Sequence, residues 1–209
     1  MKQKKVKQYA FFIDTSNCSG CKTCQVACKD KNDLPMGVLW RRVYEISGGD
    51  WIPDQKTWQP GIYAYHLSIS CNHCREAVCL SSCPTGAIAR REDGIVTIDS
   101  KKCVGCRYCE WACPYGAPQY HQAAGIMTKC DLCLDYIEKG KPPACVAACP
   151  LRVLEFGELD ELVAKHGSQA HIYPLPPPSA TKPALVLKPH KDAKRAENEE
   201  ADVVNKEEV

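Results

Sequence analysis

A chain of 209 residues predicts one or two compact domains. Its net charge of +2 lacks the concentrated basic excess of a nucleic-acid binder, and 8% aromatic residues leave only a modest conventional core. Sixteen cysteines are the departure from ordinary composition, and disulfides, zinc and iron–sulfur clusters are the three readings open to them.

The opening MKQKKVKQYAFFIDTSNC is basic but lacks the apolar region and small-residue cleavage site of an export signal, and it carries no twin-arginine signal. No run of about 18 apolar residues predicts a membrane-spanning helix. The expectation is a chain that stays in the cytoplasm or crosses a membrane with a partner. Disulfides belong to oxidising compartments, which these features do not suggest.

The first cysteine group follows at once: Cys18, Cys21, Cys24 and Cys28, in CSGCKTCQVACK. Leu39 to Ile46 and Ile62 to Ile69 then read as strands, rich in aromatic and branched residues, with Gly48, Gly49, Asp50 and Pro53 as turn chemistry after the first. Group II is Cys71, Cys74, Cys79 and Cys83. The stretch ARREDGIVTIDSKKC predicts a hairpin turning at Asp93-Gly94. Group III is Cys103, Cys106, Cys109 and Cys113, and group IV is Cys130, Cys133, Cys145 and Cys149. A short helix is predicted over Glu158 to His166, stopped by Gly167. Pro174, Pro176, Pro177 and Pro178 predict an extended stretch, and the charged end KPHKDAKRAENEEADVVNKEEV predicts a segment that is mobile or laid along a partner.

The four groups are one repeat. Groups I and III share the spacing C-x2-C-x2-C-x3-C; group II lengthens the second gap to four residues and group IV to eleven. Pro84, Pro114 and Pro150 follow the last cysteine of groups II, III and IV, where group I has Lys29. A tight C-x2-C-x2-C loop can wrap three thiolates round one cubane cluster, and in the bacterial ferredoxin pattern the fourth cysteine serves the neighbouring cluster. The x3 gap is about one helical turn, which turns that cysteine away from its own loop. Zinc sites more often use separated pairs, and only group IV could pass for one.

With these residues the chain resembles the four-cluster, ferredoxin-like electron-transfer (beta) subunits of molybdopterin oxidoreductases, in the branch of the anaerobic dimethyl sulfoxide reductase iron–sulfur subunit. The stretches that carry the resemblance are FFIDTSNCSGCKTCQVACKD, WRRVYEISGGDW, AYHLSISCNHC, VGCRYCEWACPYGAPQY, MTKCDLC, ACVAACPLRVLEFGELDEL and TKPALVLKP. Cys106 stands where nitrate reductase relatives carry tryptophan, and no C-terminal membrane helix like that of formate dehydrogenase relatives is expected. The resemblance implies an α+β fold of two ferredoxin-like 2×[4Fe–4S] modules with short hairpins and helices. One module spans residues 8–37 and 120–160 and the other residues 60–119, with an inserted hairpin segment at 38–59 and an extended or mobile tail at 161–209. It also implies four [4Fe–4S] clusters. Cluster 1 would use Cys18, Cys21, Cys24 and Cys149, and cluster 2 Cys28, Cys130, Cys133 and Cys145. Cluster 3 would use Cys83, Cys103, Cys106 and Cys109, and cluster 4 Cys71, Cys74, Cys79 and Cys113.

The implied role is a non-catalytic wire. It would pass electrons from a membrane anchor oxidising menaquinol to a molybdopterin-containing catalytic subunit that reduces dimethyl sulfoxide and related S- and N-oxides. A heterotrimer on the outer, periplasmic face of the cytoplasmic membrane is expected, exported with a twin-arginine partner; the cytoplasmic face is the alternative. Subunits of tetrathionate, polysulfide or selenate reductases and a free polyferredoxin are the other functional readings. Beside the ligands, Arg107 and Lys129 are candidate tuners of cluster potential. His73 is expected not to bind iron, Tyr108 and Trp111 to pack over a cluster, Arg41 and Arg42 to lie on the surface, and the Tyr115-Gly116-Ala117-Pro118 turn to be structural.

Overall fold

The computed structural model describes residues 7–198 and 201–209; the basic start, at residues 1–6, lies outside the described residues. Short helices and small sheets alternate, the α+β class expected. Strand β1 (Tyr9–Asp14) leads into group I and helix α1 (Thr23–Lys31). Next come β2 (Arg42–Gly48), an exposed hairpin of β3 (Trp51–Asp54) and β4 (Thr57–Pro60), and β5 (Tyr63–Ile69). Group II carries α2 (Val78–Ser81), and the hairpin of β6 (Ile88–Arg90) and β7 (Val96–Ile98) separates it from α3 (Tyr108–Ala112) in group III. A further hairpin, β8 (Gln119–His121) with β9 (Ile126–Thr128), precedes α4 (Leu134–Ile137) and α5 (Ala144–Ala148) of group IV. The chain closes with β10 (Leu154–Glu158), α6 (Leu159–His166), β11 (Leu185–Lys188), α7 (Ala193–Asn198) and β12 (Ala201–Val203).

Two three-stranded sheets organise the molecule, in the orders β10-β1-β11 and β12-β2-β5. β1 is central, antiparallel to β10 and parallel to β11. Both its faces are covered, which is why YAFFI is apolar without interruption. Phe11 and Ile13 enter the main core with Leu154, Leu185 and Leu187, while Ala10 and Phe12 turn the other way, onto Leu162 of α6 and Val186. Phe12 stacks on the His166 ring, centroids 3.6 Å apart. Gly167 takes φ +87° and ends α6 where expected.

The strand predicted from Leu39 begins instead at Arg42, because Leu39 and Trp40 are bound elsewhere. The Leu39 N–H donates to Gln119 Oε1 at 2.5 Å, and the Trp40 indole donates to Thr128 Oγ1 at 3.1 Å. Pro53 lies inside β3 rather than in a turn; a two-stranded ribbon has a free side for a residue without an N–H.

The prolines explain the helix lengths. α3 and α5 end immediately before Cys113 and Cys149, which adopt ψ of 113° and 112° ahead of Pro114 and Pro150. Group I has no such proline, and α1 runs through Cys28 to Lys31. Lys29 uses the space otherwise, its Nζ donating to the Pro35 carbonyl at 2.6 Å.

The tail departs most from expectation. β11 completes the β1 sheet and β12 pairs with β2, so the described part of residues 161–209 is folded against the body rather than extended away. Its 181–184 stretch straps group II: the Arg75 and Glu76 amides donate to the Lys182 and Thr181 carbonyls at 2.8 and 2.9 Å, and Ala184 N–H donates to the Asn72 carbonyl at 2.9 Å. Asn205 brackets β2, donating to the Val43 carbonyl and accepting from Glu45 N–H, both at 2.9 Å.

Candidate metal centres

Each cysteine group folds its first loop alike. The residue before the second cysteine is left-handed in all four: Gly20 (φ +69°), His73 (+42°), Gly105 (+68°) and Leu132 (+63°). Lys22, Arg107 and Cys133 add a second left-handed residue. Mixing left- and right-handed residues turns successive N–H groups into one concavity, a nest suited to an anion. Glycine is required in group III, where a Cβ on Gly105 would stand 2.3 Å from the Gly125 carbonyl oxygen. His73 and Leu132 hold the same conformation with side chains, at a cost of about 1–2 kcal/mol each, and both are buried.

None of the sixteen cysteines is paired in a disulfide. Cys18, Cys21, Cys24 and Cys149 line one hollow. Cys71, Cys74, Cys79 and Cys113 line a second, and Cys83, Cys103, Cys106 and Cys109 a third. The remaining four gather between α1, α4 and α5: a charge on Cys145 or Cys133 raises the Cys28 pKa, and one on Cys28 or Cys145 raises that of Cys130. The fourth cysteine of each group lies with another group's loop. Thiols set round a hollow suit a polynuclear cluster, which keeps its ligands apart.

The sets also adjoin one another. Cys24 of the first feels Cys145 of the next, and Cys130 of that set feels Cys71 of the third. Burial dominates the thiol chemistry: it pushes Cys28, Cys74 and Cys79 up to about 12 and Cys18, Cys109 and Cys133 up to about 11. Cys21 is instead held below the ordinary thiol value by its hydrogen bond with Thr23 Oγ1. Several sulfurs already accept N–H bonds, among them Cys103 from Met127 and Cys83 from Ala87, both at 3.3 Å. Such bonds tune a cluster's potential.

The neighbouring residues divide. Lys129 is buried against the hollow of Cys79, donating to the Val96 and Cys130 carbonyls. Arg107 faces solvent in an ion pair with Glu110 at 2.7 Å. His73 is buried and neutral, since burial first, then Lys129 and Arg90, press its pKa down. Its Nδ1 accepts the Val96 N–H at 3.0 Å, which leaves the ring proton on Nε2. Tyr108 and Trp111 do not cover a centre closely: they are 51% and 72% exposed and lie side by side at the surface.

Arg41 and Arg42 overturn their expectation, being 1% and 6% exposed. Neighbours at the start of a strand point to opposite faces, so two consecutive arginines place at least one inward. Arg42 donates to the Tyr115 carbonyl at 2.6 Å and its charge reaches Cys113, whereas Arg41 faces Cys145, Cys24, Cys130 and Cys28. Ser68 and Thr181 carried no motif: Ser68 Oγ lies 3.3 Å from Cys24 Sγ, and the Thr181 hydroxyl bonds Cys74.

Four sets of thiols with anion-cradling loops define an iron–sulfur electron-transfer protein of the ferredoxin type. A family model described as a 4Fe-4S dicluster domain matches residues 62–159. The B subunit of anaerobic dimethyl sulfoxide reductase from Escherichia coli is 54% identical over 187 residues, covering 90% of this sequence and 91% of the relative. The same subunit of Haemophilus influenzae is 50% identical over 190 residues, covering 90% and 93%. The thiosulfate reductase electron transfer subunit PhsB of Salmonella typhi is 40% identical over 155 residues, covering 74% and 78%. This protein belongs to the family of anaerobic dimethyl sulfoxide reductase B subunits. It is a non-catalytic, [4Fe–4S]-binding electron-transfer subunit of an oxidoreductase complex, and a partner subunit performs the chemistry. No helix among the described residues is long and apolar enough to cross a membrane.

Proposed function

We propose that this chain relays electrons through four [4Fe–4S] clusters, from a membrane anchor that oxidises menaquinol to a molybdopterin catalytic subunit that reduces dimethyl sulfoxide and related oxides. One observation carries the reading: the four thiol sets follow one another, Cys24 within electrostatic reach of Cys145, Cys130 within reach of Cys71, and Cys79 in the same apolar cluster as Cys109. Cys18, Cys21, Cys24 and Cys149 would hold cluster 1, and Cys28, Cys130, Cys133 and Cys145 cluster 2. Cys71, Cys74, Cys79 and Cys113 would hold cluster 4, and Cys83, Cys103, Cys106 and Cys109 cluster 3. The pairing makes two modules, residues 8–37 with 120–160 and residues 60–119.

Bound there, the clusters supply one-electron transfer without proton chemistry. The chain's own residues hold the ligands, offer N–H groups to sulfur and exclude water. The group I/IV end would face the catalytic subunit. The group II/III end would face the anchor, and Val104, Tyr108 and Trp111 stand exposed beside its last hollow. The assembly would be a heterotrimer with this subunit peripheral to the membrane, on the periplasmic face. Identity to the sulfoxide reductase subunits, at 54% against 40% for the thiosulfate reductase subunit, favours the sulfoxide branch.

Metal analysis of the anaerobically purified complex tests this. Roughly sixteen irons per chain, matching acid-labile sulfide, are expected from four cubane clusters, with about one molybdenum in the co-purified partner. Zinc in place of iron would sink the proposal; full iron with no molybdenum partner would leave a free polyferredoxin.

A further inference from the structure

Arg41 heads the large side chains that are fully buried. Its Nη1 donates to Ser68 O at 3.2 Å and Ser68 Oγ at 3.3 Å, and its Cζ lies 4.4 Å above the centre of the Phe11 ring. Nε and Nη2 have no acceptor among the described residues. A guanidinium does not release its proton, and a buried cation without a counter-charge is strongly unfavourable. The ionisable groups that act on it are thiols: Cys145, Cys24, Cys130 and Cys28. They belong to two different sets. Ser68 Oγ, which accepts from Arg41, also lies 3.3 Å from Cys24 Sγ, and the Arg41 backbone N–H faces Cys28.

We propose that Arg41 is a fixed positive charge set between the first two cysteine sets, making the clusters there easier to reduce than they would be without it and setting them apart from the pair held by groups II and III. The inference rests on the reading that these sets hold clusters. Reduction adds one electron and no proton to a site already negative, and a cation in a low-dielectric interior stabilises that added charge. Arg41 is a positioning residue for charge: it ligates nothing, and it acts on the thiols of both sets through its fixed charge.

The test is a redox titration of the intact complex followed by electron paramagnetic resonance, with iron counted in parallel, in native protein and in the Arg41→Gln and Arg41→Lys variants. Arg41→Gln should shift two of the four midpoints downward, each by at least tenfold in the ratio of reduced to oxidised cluster at fixed potential, which is about 59 mV for one electron. The other two should not move, and Arg41→Lys should restore most of the shift. Full iron with four unchanged midpoints in Arg41→Gln would overturn the proposal and leave Arg41 a packing residue. If Arg41→Gln fails to keep its iron, Arg41→Lys decides: iron held near native potentials supports the charge, and iron lost from both variants refutes it. A native complex without iron would instead remove the cluster reading itself.

Discussion

The two halves of the molecule use the same cysteine loop and bury it differently. Of the eight cysteines in groups I and IV, six are buried; of the eight in groups II and III, three are. The first half is wrapped by the β10-β1-β11 sheet and pierced by Arg41, whereas the second is enclosed by two-stranded hairpins and a small apolar cluster around Ile88, Val96 and Met127. A repeated motif therefore sets the ligand geometry, while the elements around it decide how dry and how accessible each site is.

The sharpest way to break this contrast is to remove the wrapping. Ending the chain after Ala184 keeps the strap on group II and deletes β11, α7 and β12, and with β11 the buried Leu185, Val186 and Leu187. At about 1.5–3 kcal/mol per buried side chain, the loss rivals the whole stability of a domain. The clusters of groups I and IV should be lost first, with iron falling toward half in metal analysis. Equal loss from both halves would deny that the sheet protects one of them.

A smaller, local effect is expected in the open half. Gly105→Ala drives a Cβ against the Gly125 carbonyl in a left-handed position and should cost one cluster, or about four irons. Gly125→Ala, also left-handed but with open space around it, should keep all the iron and lose only about 1 kcal/mol.

Thiol reactivity of the iron-free chain should also differ by site. Exposed Cys21, with its pKa lowered, holds more thiolate at a given pH than buried Cys28, whose pKa is about 12. Mass spectrometry should find Cys21 alkylated first, faster as pH rises toward its pKa, with Cys28 protected until the chain unfolds. Iron loading follows the same sign: each buried thiol must release a proton, so loading strengthens with rising pH. The smallest change to the fold should come from Trp111→Ala, within about 0.5 kcal/mol in a melting curve. If this face docks a partner, the same variant should weaken assembly by about 2 kcal/mol in a binding titration.

The four groups, the group II–III hairpin and the helix before Gly167 were legible because each has a local cause: a spacing, a turn pair or a stop. The pairing of groups was not, since spacing leaves every fourth ligand free to choose. The tail was not legible either, because its charge reads as disorder while its fold depends on distant partners: Leu185 to Leu187 take the open edge of β1, and β12 with Asn205 takes that of β2. Arg41 misled for the opposite reason, as arginine is ordinarily a surface residue and only the sulfurs, brought together from distant groups, give it a place inside.

The sheet order carries a consequence for how the protein is made. β1 precedes every cysteine in the sequence, yet the strands on either side of it, β10 and β11, come after them all. The walls round the group I and IV thiols cannot close until residue 188 has been synthesised. Every cysteine is therefore synthesised before the strand that completes the sheet over the deeper half, and that sheet can close over its thiols only as a last step.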